Sequence, residues 1–188
     1  MKKQNKKPEI IDVKKVGTSR LFNIESVELI FHNGEYRVYE RIKSTNLETV
    51  IIVPIINGNL VLIQEYAVGI ENYTIGFPKG LINFGESTTE AADRELKEET
   101  GYGSTELEFI GKFNIAPSYL CSINNIFLAE GLYEKKLQGD EPESLIIYKW
   151  PLNKMMDLLK EPSFCEARNI SALFLARECL LKKTKFNC

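Results

Sequence analysis

Residues 9–16 (EIIDVKKV), 22–31 (FNIESVELIF) and 36–43 (YRVYERIK) alternate apolar and polar side chains, as half-buried strands do. Asn33-Gly34 joins the last two as a tight hairpin and leaves His32 in the turn. Residues 49–56 (TVIIVPII) and 60–68 (LVLIQEYAV) flank Asn57-Gly58, which predicts a second hairpin of the same type. The first of these runs is apolar throughout, which suits a central strand, but Pro54 within it calls for an edge or a bulge.

The pattern then changes period. Residues 87–100 predict a helix, with Ser87 and Glu90 as a capping box and Gly101 placed to close the C-terminus. Strands return at 107–116 (LEFIGKFNIA) and 123–132 (INNIFLAEGL), followed by the polar loop KKLQGDEPES and the strand LIIYKW. Pro151 opens a short helix, PLNKMMDLLK. The last element, residues 166–183, reads as a strongly amphipathic helix with basic residues at its end. Strands with helices between and after them predict a layered α/β (α+β) domain.

Composition narrows the function classes. A chain of 188 residues suffices for one domain, or for a compact domain with a small appendage. Its formal charge of -2, with Lys and Arg scattered after the N-terminus, offers no basic stripe for nucleic acid. The opening MKKQNKKPE lacks the apolar core of a signal peptide and reads as a disordered tail over residues 1–7. Apolar runs such as VIIVPII are too short to span a bilayer, so the expected location is the cytoplasm. Cys121, Cys165, Cys179 and Cys188 form no C-x-x-C pair, and His32 is the one histidine. That pattern fits buried or incidental thiols and argues against histidine-dependent catalysis.

One stretch stands out chemically. Residues 80–102, GLINFGESTTEAADRELKEETGY, carry Glu95, Glu98 and Glu99 within an arc of roughly 100° on the predicted helix. Ala92 and Leu96 lie beside that arc and can face the core, which puts the carboxylates on the seam between helix and body. An oxygen-rich cluster there suits a hard divalent cation, magnesium or manganese. Helix chemistry alone favours a solvated face with Arg94 and Glu98 as an i,i+4 pair, since glutamate-rich helices are common.

The wider spacing decides between the two. Gly80, Glu86, Arg94-Glu95-Leu96, Glu98-Glu99 and Gly101-Tyr102 resemble the Nudix box, G-x5-E-x7-R-E-U-x-E-E-x-G-U with U apolar or aromatic, without a mismatch. SRLFNIESVEL, YERIKSTNLE, LIQEYAVG, APSY, GDEPE, WPLNKMMDLL and EARNISALFLARE are further similar to the branch of that superfamily that hydrolyses ADP compounds. This similarity runs from about residue 8 to residue 180.

The resemblance implies an α/β/α sandwich over residues 49–184, preceded by an antiparallel β extension over 8–48 that pairs two subunits into a homodimer. It implies metal-dependent hydrolysis of the diphosphate bond in small ADP-X nucleotides such as ADP-ribose, NADH and diadenosine triphosphate. Glu95, Glu98, Glu99 and the Lys79 carbonyl are then the metal ligands, with Mg2+ or Mn2+ as the ion. Arg94 is expected to hold Glu98 or Glu99 in its working rotamer, and Glu86 to be structural. The general base is expected in the GDEPESL loop, at Glu141 or Glu143, with Glu98 as the competitor. Substrate contacts fall to Arg37, Glu40, Arg41, Pro117 and Tyr119. Ala67 replaces an arginine of dedicated ADP-ribose enzymes, and APSYLCS lacks their glycine; both departures favour a broader ADP-X range. Members of the family that only bind ligands commonly lose box glutamates, and all of them are present here.

Overall fold

A computed structural model of the chain describes residues 6–186, which divide into two compact units. Most of the expected tail and Cys188 therefore lie outside the described residues. The first unit comprises Met1–Leu47 with Asn114–Ser122, and the second Glu48–Phe113 with Ile123–Cys188. The assignment of 114–122 to the first unit has no counterpart in a linear domain boundary.

In the first unit β1 (Glu9–Thr18), β2 (Phe22–Ile30) and the first part of β3 (Tyr36–Ile56) form an antiparallel meander. Its register aligns Val13, Val27 and Tyr39 in one row and Lys15, Glu25 and Arg41 in another. Alternation then puts Arg37 and Arg41 on the same face, as expected from their spacing, and turns the Glu40 side chain to the other. The β2–β3 hairpin differs from the expected tight turn. Ile30 pairs with Tyr36, the Phe31 amide donates to the Glu35 carbonyl, and Gly34 takes a φ of 83° in the longer loop. The Asn57-Gly58 hairpin is the two-residue kind, with both residues at positive φ, 48° and 71°.

The second unit is built on the rest of β3 with β4 (Asn59–Ala67), β5 (Asn72–Gly76), β6 (Lys79–Leu81), β7 (Tyr102–Asn114), β8 (Leu120–Glu134) and β9 (Ile146–Pro151). Helices cover both faces, and the fully apolar β3 segment shows why. Val50 and Ile52 join Phe127 and Ala129 against Ala91, Ala92 and Leu96 of α1 (Thr88–Thr100). Ile51 and Val53 point the other way, with Ile126 and Leu128, against Leu158 of a 3₁₀ helix and Ala172, Leu173 and Ala176 of α2 (Ala167–Phe186). A strand buried on both faces has no reason to alternate. The result is the expected α/β/α sandwich. Pro54 falls between the residues of β3 that pair with β6, ending at Ile51, and those that pair with β4, starting at Ile55. Its missing N–H therefore sits where the strand changes partners.

Two helical expectations need correction. Residues 152–160 form a 3₁₀ helix kinked at Lys154, with Pro151 preceding it at the cap instead of opening an α-helix. The α2 helix is less amphipathic than its sequence suggests: Asn169 is buried with Ala172, Leu173 and Ala176, while Phe174 and Leu181 are exposed. No helix among the described residues is long and apolar enough to cross a membrane.

Candidate active site

The helix that carries the acidic cluster starts and stops where its local chemistry dictates. Ser87 caps α1, its Oγ accepting from the Glu90 amide at 3.2 Å, while Glu90 accepts from the Ser87 amide at 2.9 Å. Gly101 ends the helix at φ 75°, a left-handed position that glycine adopts without steric cost. Leu96 and Ala92 anchor the inner face. Glu95 and Glu99 are thereby drawn down to 8% and 9% exposure, an unusual depth for carboxylates.

The wall opposite is β6. Gly80 presents bare backbone to Glu95: a Cβ there would lie 2.0 Å from Glu95 Oε1. One residue earlier, the Lys79 amide donates to Glu99 Oε2 at 2.7 Å, and the Lys79 ammonium pairs with Glu65 on β4 at 2.7 Å. Burial pushes the Glu99 carboxyl well above the usual carboxylate range, against the pull of Lys79. Burial likewise raises Glu95, opposed by Arg94 and assisted by the charges of Glu98 and Glu141.

Arg94 is the hub of the cluster. Its Nε and Nη2 donate to the two oxygens of Glu86 at 2.8 and 3.0 Å, and Nη2 also reaches the Leu81 carbonyl at 2.9 Å. Nη1 donates to Glu95 at 2.6 Å and to Glu98 at 2.9 Å. The i,i+4 pair and the box arrangement thus coexist. Arg94 holds Glu95 and Glu98; Glu99, the other partner expected for it, is held by the Lys79 backbone, because that carboxylate lies on the β6 side of the helix. Glu86 also accepts from the Asn83 amide at 2.9 Å, and the Arg94 hydrogen bond keeps its carboxyl below the usual range.

Lys79, Gly80, Arg94, Glu95, Glu98 and Glu99 line a cavity of about 740 Å³ together with residues of the 138–142 loop. Glu141 lines this cavity; Glu143 lines a neighbouring one of about 400 Å³ together with Glu98, Glu99 and Glu141, and accepts from the Tyr73 hydroxyl at 2.8 Å. The two loop glutamates, equivalent in sequence, are therefore not equivalent in place. Among the described residues no three acidic side chains are arranged around a common metal position; Arg94 holds Glu95 and Glu98, and the Lys79 amide holds Glu99. The donor chemistry nevertheless fits a hard divalent cation. Five carboxylates (Glu65, Glu86, Glu95, Glu98 and Glu99) face two cations, two of the five are buried, and the missing Cβ of Gly80 lets the Glu95 carboxylate lie against the β6 backbone.

The remaining candidates lie in the first unit. Glu40, Arg41, Pro117 and Tyr119 border one cavity of about 410 Å³, together with Val27 and Tyr39. The Ile42 amide donates to the Tyr119 carbonyl at 2.6 Å, which ties 117–121 to β3. Arg41 is committed to Glu25, through Nε and Nη2 at 2.7 Å each. Arg37 does not border the cavity and pairs with Glu35 at 2.7 Å. Spacing alone missed Glu65 and Tyr73, which lie on separate strands with no motif around them.

A family model described as the NudE-type Nudix hydrolase N-terminal domain matches residues 8–41, and one for the NUDIX domain matches residues 45–163. ADP compounds hydrolase NudE of Escherichia coli (strain K12) is 57% identical over 180 residues, spanning 96% of this chain and 97% of that protein. ADP-ribose pyrophosphatase of Bacillus subtilis (strain 168) is 29% identical over 152 residues, 80% of each chain. A crystal structure of ADP compounds hydrolase superposes with a TM-score of 0.91 at 56% identity, covering 96% of this chain and 98% of the other.

Proposed function

Because this chain belongs to the Nudix hydrolase family, we propose that it hydrolyses the diphosphate of ADP-X compounds and releases AMP. The observation that carries this reading is the intact box, with Glu95, Glu98 and Glu99 lining one cavity with the Lys79-Gly80 wall and Glu141. Glu95, Glu98, Glu99 and the Lys79 carbonyl would hold the divalent metal, Mg2+ with Mn2+ as a substitute. Such an ion neutralises the anhydride oxygens and acidifies water.

The protein groups do the rest. Arg94 holds Glu95 and Glu98 in place and is itself fixed by Glu86 and the Leu81 carbonyl. Glu141 takes the proton from the attacking water. Glu143 is the weaker candidate because it is spoken for by Tyr73, and Glu98 because it is held by Arg94. Water attacks phosphorus and not the ribose carbon, since the charged groups gather at the anhydride.

ADP-ribose, NADH and diadenosine triphosphate are the substrates this reading favours, supported by the ADP compounds named for the E. coli relative. Arg41, Glu40, Pro117 and Tyr119 are proposed to select the nucleotide, with Arg37 more distant. The molecule is proposed to be a cytoplasmic homodimer joined through the β1–β3 extension, in which Arg41 serves the partner's nucleotide. Exposed Ile10, Ile11, Val13, Val16, Val38 and Tyr39 on that sheet support such pairing. Product analysis tests the reaction. ADP-ribose should give AMP and ribose 5-phosphate, NADH should give AMP and reduced nicotinamide mononucleotide, and diadenosine triphosphate should give AMP and ADP. Faster cleavage of ATP or GTP than of all three, or free adenine or nicotinamide as first product, would overturn it.

A further inference from the structure

Asn169, at the start of α2, is 1% exposed, a costly place for a carboxamide unless its polar atoms are matched. Both ends are matched. Its Oδ1 accepts from the Phe77 amide at 2.9 Å, and its Nδ2 donates to Glu166 Oε2 at 2.8 Å. A Cβ on Gly76 would fall 2.4 Å from that Nδ2, so the bare glycine lets the carboxamide lie against the backbone.

The segment it touches has a particular task. β5 ends at Gly76 paired with β4, and β6 begins at Lys79 paired with β3, so Phe77-Pro78 carries the chain from one ladder to another. Buried backbone donors need partners wherever a ladder does not supply them. The Phe77 amide goes to Asn169, Pro78 has none, and the Lys79 amide goes to Glu99. The Pro78 carbonyl accepts from the Ile52 amide at 2.9 Å. The crossing is thus gripped by a side chain of α2 at one end and a box carboxylate of α1 at the other.

We infer that Asn169, oriented by Glu166, is a positioning residue for the metal-holding wall, setting the path of residues 77–79 and through it the Lys79 carbonyl and the Glu99 carboxylate. This rests on the proposed metal role of the box glutamates. It assigns to the C-terminal helix a part in a site whose motif lies entirely in residues 80–102.

The test is Mn2+ titration of the full chain without nucleotide, following the free ion by electron paramagnetic resonance, beside the Tm of the metal-free protein. Asn169→Ala and Asn169→Asp should each weaken Mn2+ binding by about tenfold or more, the effect expected of groups that orient ligands. Adding Glu166→Gln to Asn169→Asp reverses the polarity of the contact, so that the carboxylate accepts from both Phe77 and the new amide; affinity should return to within about threefold of the parent. Leu173→Ala, on the same helix in the core, should lower the Tm while leaving Mn2+ affinity within about twofold. Parent-like Mn2+ affinity in Asn169→Ala, alongside its loss in Glu99→Gln, overturns the positioning role and leaves the metal reading standing. Equal weakening in Leu173→Ala at equal loss of Tm overturns it too. A parent that binds no Mn2+ overturns both.

Discussion

Gly80 and Glu95 are in contact in a way only glycine permits: a Cβ at position 80 would lie 2.0 Å from Oε1 and 2.1 Å from Cδ of the Glu95 side chain. The obstructing atoms belong to the end of a movable side chain, so Gly80→Ala should fold. The carboxylate, however, would have to leave the place where Arg94 holds it at 2.6 Å. The expected result is a Tm within a few degrees of the parent with activity on ADP-ribose reduced by roughly tenfold or more, as for other losses of ligand orientation. Parent-level turnover in Gly80→Ala would show that Glu95 has no fixed task.

Glu99→Gln keeps the size and helix propensity of the residue and removes one charged donor. Activity should fall by at least ~100-fold with the fold intact. Burial already disfavours the charged form of Glu99, so the neutral amide should not lower the Tm in the absence of metal. Near-parent activity at saturating magnesium would rule the ligand assignment out.

The two loop glutamates should separate. Glu141→Gln removes the proposed base and is expected to lower kcat by about 100-fold or more, with KM little changed. Glu143→Gln leaves the base and weakens only the contact to Tyr73, so a loss below about tenfold is expected. The reverse ranking, read from kcat at saturating substrate, would move the base to Glu143; unchanged kcat in both would return it to Glu98.

Sedimentation at micromolar protein should give the mass of a dimer. Replacing Val38 and Tyr39, exposed neighbours on opposite faces of β3, with glutamate should shift that mass toward the monomer, because desolvating a new charge in an apolar interface is unfavourable. Full activity from a monomeric parent would exclude the shared site.

What could be read from residues alone was whatever depends on near neighbours in the chain. The Ser87–Glu90 cap, the left-handed Gly101, the Asn57-Gly58 turn and the helical arc of Glu95, Glu98 and Glu99 all follow from spacing and backbone preference within a few positions. Family resemblance then supplied the chemistry of that arc. β5 and β6 escaped notice because they are short and separated by Phe77-Pro78, which reads as loop. Tertiary structure alone decided who holds whom. Asn169 meets Phe77 from 92 positions away, Tyr73 meets Glu143 from 70, and the Lys79 amide meets Glu99 from 20. Packing made the difference between Glu141, which lines the 740 Å³ cavity, and Glu143, which meets Tyr73, and between Glu99 and Glu98, since a carboxylate's partner is set by which surfaces the packed core brings against it. No periodicity along the chain encodes that.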